Sequence, residues 1–180
     1  MNKSYLAIAI LPITLSAAMH SGCGKKDKDV FIAPITSQGY TVNVLPPDNN
    51  RLTVGENQIY KFKIKADEDI FIDRVAVKFY STGEVSITDI EARDKSSNTL
   101  INSPTAFNTP PTFPLEMTIV LNSFIPQGSS NTYSIILDLS KVGPNSSLRM
   151  DLVNLFGRVT NRGIDLYPLP ETLRGDTLSN

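Results

Sequence analysis

The sequence predicts an all-β fold in which seven or eight short strands close as two facing sheets. Three observations carry this expectation. Several segments alternate apolar and polar residues, turn-forming clusters recur at roughly eight- to twelve-residue spacing, and no stretch after Cys23 sustains helical periodicity between caps. Successive strand side chains point to opposite faces, so period two marks a segment with one side in a core and the other in water.

The N-terminus stands apart from this pattern. Lys3 supplies a positive charge, and Tyr5 to Ala18 is largely apolar, broken by Pro12, Thr14 and Ser16. That is shorter and more interrupted than the roughly 20 apolar residues of a bilayer-spanning helix, but it suits the apolar region of a secretory signal. His20-Ser21-Gly22-Cys23-Gly24 follows, then the charged run Lys25-Lys26-Asp27-Lys28-Asp29. This stretch resembles the lipobox of bacterial lipoproteins, with His20 standing where that family usually carries an aliphatic residue. The resemblance implies cleavage between Gly22 and Cys23, lipidation of the Cys23 thiol and acylation of the new amine, so that membrane lipid is a partner. Gly24 in place of Asp then implies the outer membrane in a cell with two membranes. The residues also allow an ordinary signal-peptidase cut after Ser16-Ala17-Ala18.

The expected organisation is a lipoprotein signal peptide at 1–22, a lipidated N-terminus and tether at 23–38, a sandwich at 39–167 and a polar C-terminal tail at 168–180. Cys23 is the only cysteine, which excludes an intrachain disulfide, a two-cysteine metal site and a dithiol redox motif. Without Lys3, 16 Lys and Arg face 18 Asp and Glu. A slightly acidic chain does not recommend nucleic acid as a partner, because dense phosphate charge calls for a basic patch.

Along the tether, Val30-Phe31-Ile32-Ala33 ahead of Pro34 is either an edge strand or a docking point for the linker. Tyr40 to Leu45 alternates weakly and stops at Pro46-Pro47-Asp48-Asn49-Asn50, and Arg51 to Val54 is a brief candidate strand. Gln58 to Ala66 is clearer, with Tyr60, Phe62, Ile64 and Ala66 on one side and Lys61, Lys63 and Lys65 on the other. After Asp67-Glu68-Asp69, the segment Ile70 to Tyr80 sets Val75, Val77 and Phe79 against Arg74, Ala76 and Lys78. Beyond Ser81-Thr82-Gly83-Glu84, Val85 and Ile87 are out of phase with Ile90 and Ala92, which a β-bulge or a strand end would produce.

Residues 95–114 are rich in Ser, Asn, Thr and Pro, and form either a binding loop or a crossover between sheets. Leu115, Met117, Ile119 and Leu121 then share a face, as do Tyr133, Ile135, Leu137 and Leu139, and Leu148, Met150 and Leu152. A last strand falls at Val159-Thr160 or at Ile164 to Tyr167, around Asn161-Arg162-Gly163. Over residues 40–155 the chain resembles the immunoglobulin-like domains of bacterial surface proteins. Tyr60-Lys61-Phe62-Lys63-Ile64, Val75-Ala76-Val77-Lys78-Phe79, and Ile125-Pro126-Gln127-Gly128 ahead of Tyr133-Ser134-Ile135 carry the resemblance. It implies an immunoglobulin-like sandwich and no particular activity.

Chemistry-bearing residues are few. His20, the only histidine, leaves with the leader, so no Ser-His-Asp, Cys-His or histidine-zinc site is available to the mature chain. Asp67, Glu68, Asp69 and Asp73 lack the spacing of a calcium loop and read as a solvated turn. Asp89 and Glu91 share a strand face, whereas glycosidase chemistry needs carboxyls across a cleft. No catalytic, cofactor or metal residue is therefore expected. Tyr40, Tyr80, Phe107, Phe113, Phe124 and Phe156 fall near turns or strand ends, where aromatics either cap a core or form a binding patch. Phe107 and Phe113 are the preferred partner contacts among them.

The expected function is a non-enzymatic, membrane-anchored lipoprotein serving as a structural or protein-binding module of an envelope, secretion or surface assembly. The alternatives are an adhesive or glycan-binding lipoprotein using the 95–114 loop, and an enzyme working through carboxylates alone.

Overall fold

The computed structural model describes residues 35–37, 39–94, 99–100, 105–107, 111–166 and 168–180. The chain divides into a unit of residues 1–31 and a unit of residues 32–180, and every described residue belongs to the second. The leader, Cys23 and the Val30–Ala33 patch lie outside the described residues.

All regular structure among the described residues is β, in two antiparallel sheets. Sheet A contains β1 (Ile35–Ser37), β2 (Tyr40–Leu45), β3 (Gly55–Ala66), β5 (Val85–Asp94) and β9 (Ser130–Val142), in the order β1-β2-β3-β9-β5. The two-residue strands β6 (Thr99–Leu100) and β7 (Thr105–Ala106) both pair with the outer edge of β5. Sheet B has β4 (Ile70–Thr82) between β8 (Leu115–Ile125) and β10 (Ser147–Val159). Its other edge is shared by β11 (Ile164–Asp165) and β12 (Leu173–Ser179), which pair with opposite ends of β10. From β3 to β10 each successive long strand changes sheet. The turn clusters at 67–69, 83–84, 126–129 and 143–146 are thus arches between layers, not hairpins within one.

The alternation explains the layering. Tyr60, Phe62, Ile64 and Ala66 of β3 are buried, as are Val75, Val77 and Phe79 of β4 and Tyr133, Ile135, Leu137 and Leu139 of β9. They belong to one core cluster that includes residues of both sheets. At roughly 25 cal/mol per Å² of apolar surface, closing one sheet on the other supplies the main drive to fold. The phase slip in β5 is a bulge. Val85, Ile87, Ile90 and Ala92 are all buried, and pairing with β9 is irregular on both sides of Ile87. The extra residue lets the strand return its apolar side to the core.

Two tyrosines carry polar contacts through this interior. The Tyr60 hydroxyl donates to the Leu173 carbonyl of β12 at 2.9 Å, and the Tyr133 hydroxyl donates to Ser123 Oγ of β8 at 2.7 Å. Both phenols start in sheet A and end on opposite edges of sheet B. Phe62 lies between them, with ring centroids 5.8 Å from Tyr60 and 5.3 Å from Tyr133. Aromatic contact and hydrogen bonding thereby hold the layers together at both edges.

The C-terminal segment differs from the expected polar tail. Leu173 and Leu178 of β12 are buried, but they are five residues apart and out of phase for a simple strand. Pairing with β10 shifts between Arg149 and Asp151, which reconciles the spacing. Gly175 sits at that shift, where an added Cβ would lie 2.3 Å from the Met150 carbonyl and 2.6 Å from the Tyr60 ring. Arg51 to Val54 also differs: Leu52 is buried, but the segment makes only one isolated bridge, Arg51 to Ser179. The last strand resolves as a short hairpin, with β11 pairing with the end of β10.

Two outcomes are expected. Gly175→Ala should lower stability by about 1–3 kcal/mol in urea denaturation, because backbone and a packed ring must move to admit the methyl group. Burial, reinforced by the nearby Asp151 carboxylate, pushes the Tyr60 phenol well above the ordinary tyrosine range. Burial also raises Tyr133, against the lowering effect of its bond to Ser123. The unfolded chain releases these protons near the ordinary value of 10.0, while the folded chain retains them. Stability should therefore be level below about pH 10 and fall as pH rises above it. Urea midpoints measured from about pH 8 to about pH 11 check this; a midpoint that rises with alkali would contradict it.

Candidate functional site

The outer face of sheet B departs from an ordinary wet sheet. Its strands turn Phe71, Arg74, Ala76, Lys78 and Tyr80 of β4 away from the core, as β8 does Glu116, Thr118, Val120 and Phe124. Pairing aligns these into rows across the sheet. Glu116 is level with Lys78 and Asp151, Val120 with Arg74 and Phe156, and Phe124 with Phe71 and Arg158. Tyr80 is level with Arg149. The small Ala76 leaves a concavity of about 590 Å³ between the rows, lined in part by Lys78, Met117, Thr118 and Val153.

Cations lie over the aromatic rings of this face. The Arg149 guanidinium is 4.4 Å from the Tyr80 centroid, Arg74 is 5.0 Å from that of Phe156 and Arg158 is 5.0 Å from that of Phe71. Each is within the range of a cation–π attraction. Arg149 also grips Asp151 with two hydrogen bonds, at 3.0 and 3.1 Å. Asp151 is only 6% exposed, so this fork supplies the partner that a buried carboxylate requires. It also accepts from the Gly175 amide at 3.3 Å, linking the face to β12. Lys78 pairs with Glu116 at 2.5 Å, and that hydrogen bond raises its ammonium above the ordinary lysine range.

The residues singled out in the sequence are distributed differently. Phe107 and Phe113 are half-buried and packed against the core, and the Phe107 amide donates to the Thr88 carbonyl. Neither lies on the outer face of sheet B. Tyr40 is fully buried, whereas Tyr80, Phe124 and Phe156 lie on that face, Tyr80 at one end and the other two toward the opposite end. Its arginines and exposed valines were missed, although the available signal was the outward series Arg74, Lys78 and Tyr80, less plainly solvated than Lys61, Lys63 and Lys65.

The acidic clusters have local work. Asp69 accepts from the Gln127 amide at 2.7 Å, and Glu68 pairs with Arg162, so the 67–69 turn is tied to neighbouring loops. Asp89 and Glu91 line a hollow of about 110 Å³ on sheet A with Glu56, Ile136 and Asp138. Arg93 pairs there with both Glu56 and Glu91. Among the described residues no group of three or more His, Cys, Asp or Glu is placed to hold a metal ion, and no helix is long and apolar enough to cross a membrane. No protein-family model matches the chain, and no curated protein matches it in sequence.

The positions of Phe107 and Phe113 predict a structural role. Replacing either with Ala should cost about 1–3 kcal/mol of unfolding free energy, somewhat less than a fully buried phenylalanine would. Unchanged thermal and urea transitions would show instead that these rings serve contacts outside the domain.

Proposed function

We propose that this chain is an exported, non-enzymatic lipoprotein, held at a membrane by acylated Cys23, that binds another protein of an envelope, secretion or surface assembly. The outer membrane is the favoured location in a cell that has two. The leader and the lipobox-like run ending at Cys23 support the anchor. The non-enzymatic reading rests on the loss of His20 with the leader and on the buried carboxylate of Asp151 being matched by Arg149.

The single observation that carries the binding role is the outer face of sheet B. The concavity over Ala76 lies between Tyr80 and Arg74 along β4, while Val120, Phe124 and Val153 of the same face remain substantially exposed. Arginine and aromatics are enriched in protein interfaces and depleted on plain wet surface. The proposed immunoglobulin-like relationship is supported by two packed antiparallel sheets, with β2, β3, β5 and β9 in one and β4, β8, β10 and β12 in the other. That is four strands and four, one more than the four-plus-three count of a constant-type domain. The path has its own character, because β9 lies between β3 and β5, where the antibody arrangement places the strand corresponding to β8.

Two measurements test the reading. Cys23→Ser should move the protein from the membrane fraction to the soluble fraction, and mass spectrometry of the wild-type N-terminal peptide should show acylated Cys23. Native protein from detergent-solubilised membranes should carry a stoichiometric protein partner. Repeated recovery of the chain by itself would remove the binding role, and an unmodified Cys23 in a soluble product would remove the anchor.

A further inference from the structure

We infer that the outer face of sheet B docks an acidic segment of a partner protein, seating an apolar side chain in the concavity over Ala76 with a carboxylate against Arg74. The inference rests on the protein-binding reading and names both the surface and the chemistry of its occupant.

The two outer faces of the sandwich differ in character. The outer face of sheet A carries Lys61 and Lys63 of β3 and Thr132 and Asp138 of β9, polar side chains that are partly exposed, with Ile136 buried among its carboxylates. Sheet B instead exposes Val120 at 43%, Phe124 at 50% and Val153 at 38%. Val153 lines the hollow and Val120 stands in the next row, level with Arg74; apolar side chains this exposed gain by excluding water against a partner.

Charge selects the occupant. Arg149 and Lys78 are matched on the face by Asp151 and Glu116. Arg158 pairs with Asp73 at 4.0 Å and stands level with Asp165 of β11, whereas Arg74 has no carboxylate within ion-pair distance among the described residues. Among β4, β8 and β10 the unpaired guanidinium is therefore that of Arg74, in the row that carries Val120. The Arg74 guanidinium already rests on the ring of Phe156. Less side-chain freedom is then lost when a carboxylate arrives.

Competing ligand classes fit less well. A nucleic acid needs cations in series along its phosphates, whereas Asp73, Glu116, Asp151 and Asp165 interrupt the cations of this face. A neutral glycan needs open ring faces to stack on, whereas Tyr80, Phe71 and Phe156 each hold a cation over one ring face. A carboxylate beside an apolar side chain satisfies both Arg74 and the hollow. A second copy of this chain is the nearest rival, since Glu56, Asp138 and Asp89 stand directly across one another on the outer face of sheet A.

The test places a photoreactive benzoylphenylalanine at Val120 or Val153 of the full lipidated chain in its own cells, with Lys63 as the sheet A control. Sequencing the crosslinked peptide identifies what lies on the face. The inference expects a peptide of another protein with Asp or Glu beside the crosslinked residue. Yield should fall about tenfold in Arg74→Glu, and severalfold when membranes are crosslinked at high salt. Arg74→Lys should retain much of the yield, and an unchanged melting transition in Arg74→Glu separates lost binding from lost folding. A peptide of this chain itself, one lacking acidic residues, or a yield indifferent to Arg74→Glu would overturn the inference. Partner crosslinks from Lys63 with none from Val120 or Val153 would overturn it while leaving the protein-binding reading intact. Absence of crosslinks from every position would remove both.

Discussion

The fold depends on closing two sheets over one shared apolar layer without a covalent staple. With a single cysteine in the chain, the layers must be held by what crosses the interior. Packing supplies most of that, and the phenols of Tyr60 and Tyr133 add directed bonds from sheet A to the two edges of sheet B. Each phenol brings a polar group into an apolar region, which is tolerable because each finds an acceptor there. Tyr60 also fixes β12, since the ring that reaches Leu173 covers Gly175, where no larger residue fits. The C-terminal strand, the buried Asp151 and the Arg149 fork therefore form one connected structure.

That connection joins the interior to the candidate site. Arg149 is oriented by Asp151 and lies over Tyr80, so the surface at one end of sheet B is positioned by groups that also hold β12. At the other end, Arg74 and Arg158 lie over Phe156 and Phe71, and pairing between β4 and β10 brings each cation level with its ring. The rigidity of the sheet thus becomes a fixed pattern of charge and apolar surface. Long cationic side chains, otherwise free to move in water, are held by the aromatic residues beneath them.

Much of the β architecture was legible because burial leaves a simple trace in an alternating strand. The inward series of β3, β8 and β9 could be read directly, and the mismatch of Val85 and Ile87 with Ile90 and Ala92 already marked the bulge in β5. The C-terminal strand was hidden because its bulge separates Leu173 from Leu178 by an odd number of residues. The candidate site was less legible. Tyr80, Phe124 and Phe156 could be noted as aromatics near strand ends, but nothing local places residues from three strands on one surface. Phe107 and Phe113 are candidate contacts because they flank a proline-rich stretch, and the structure adds that both are half-buried against the core.

By itself the sequence determined the strand faces, the positions of the turns, the absence of an intrachain disulfide and the expectation of an export leader ending near Cys23. These follow from composition and from neighbours close along the chain, where periodicity and turn chemistry act. Only the tertiary structure decided that the turns after β3 are arches between sheets, that two phenols bridge the layers, and that arginines settle over rings on sheet B. Those features depend on strand register and on which strands become neighbours. Both are fixed when all the apolar faces find a common interior at once, a condition no short segment can express.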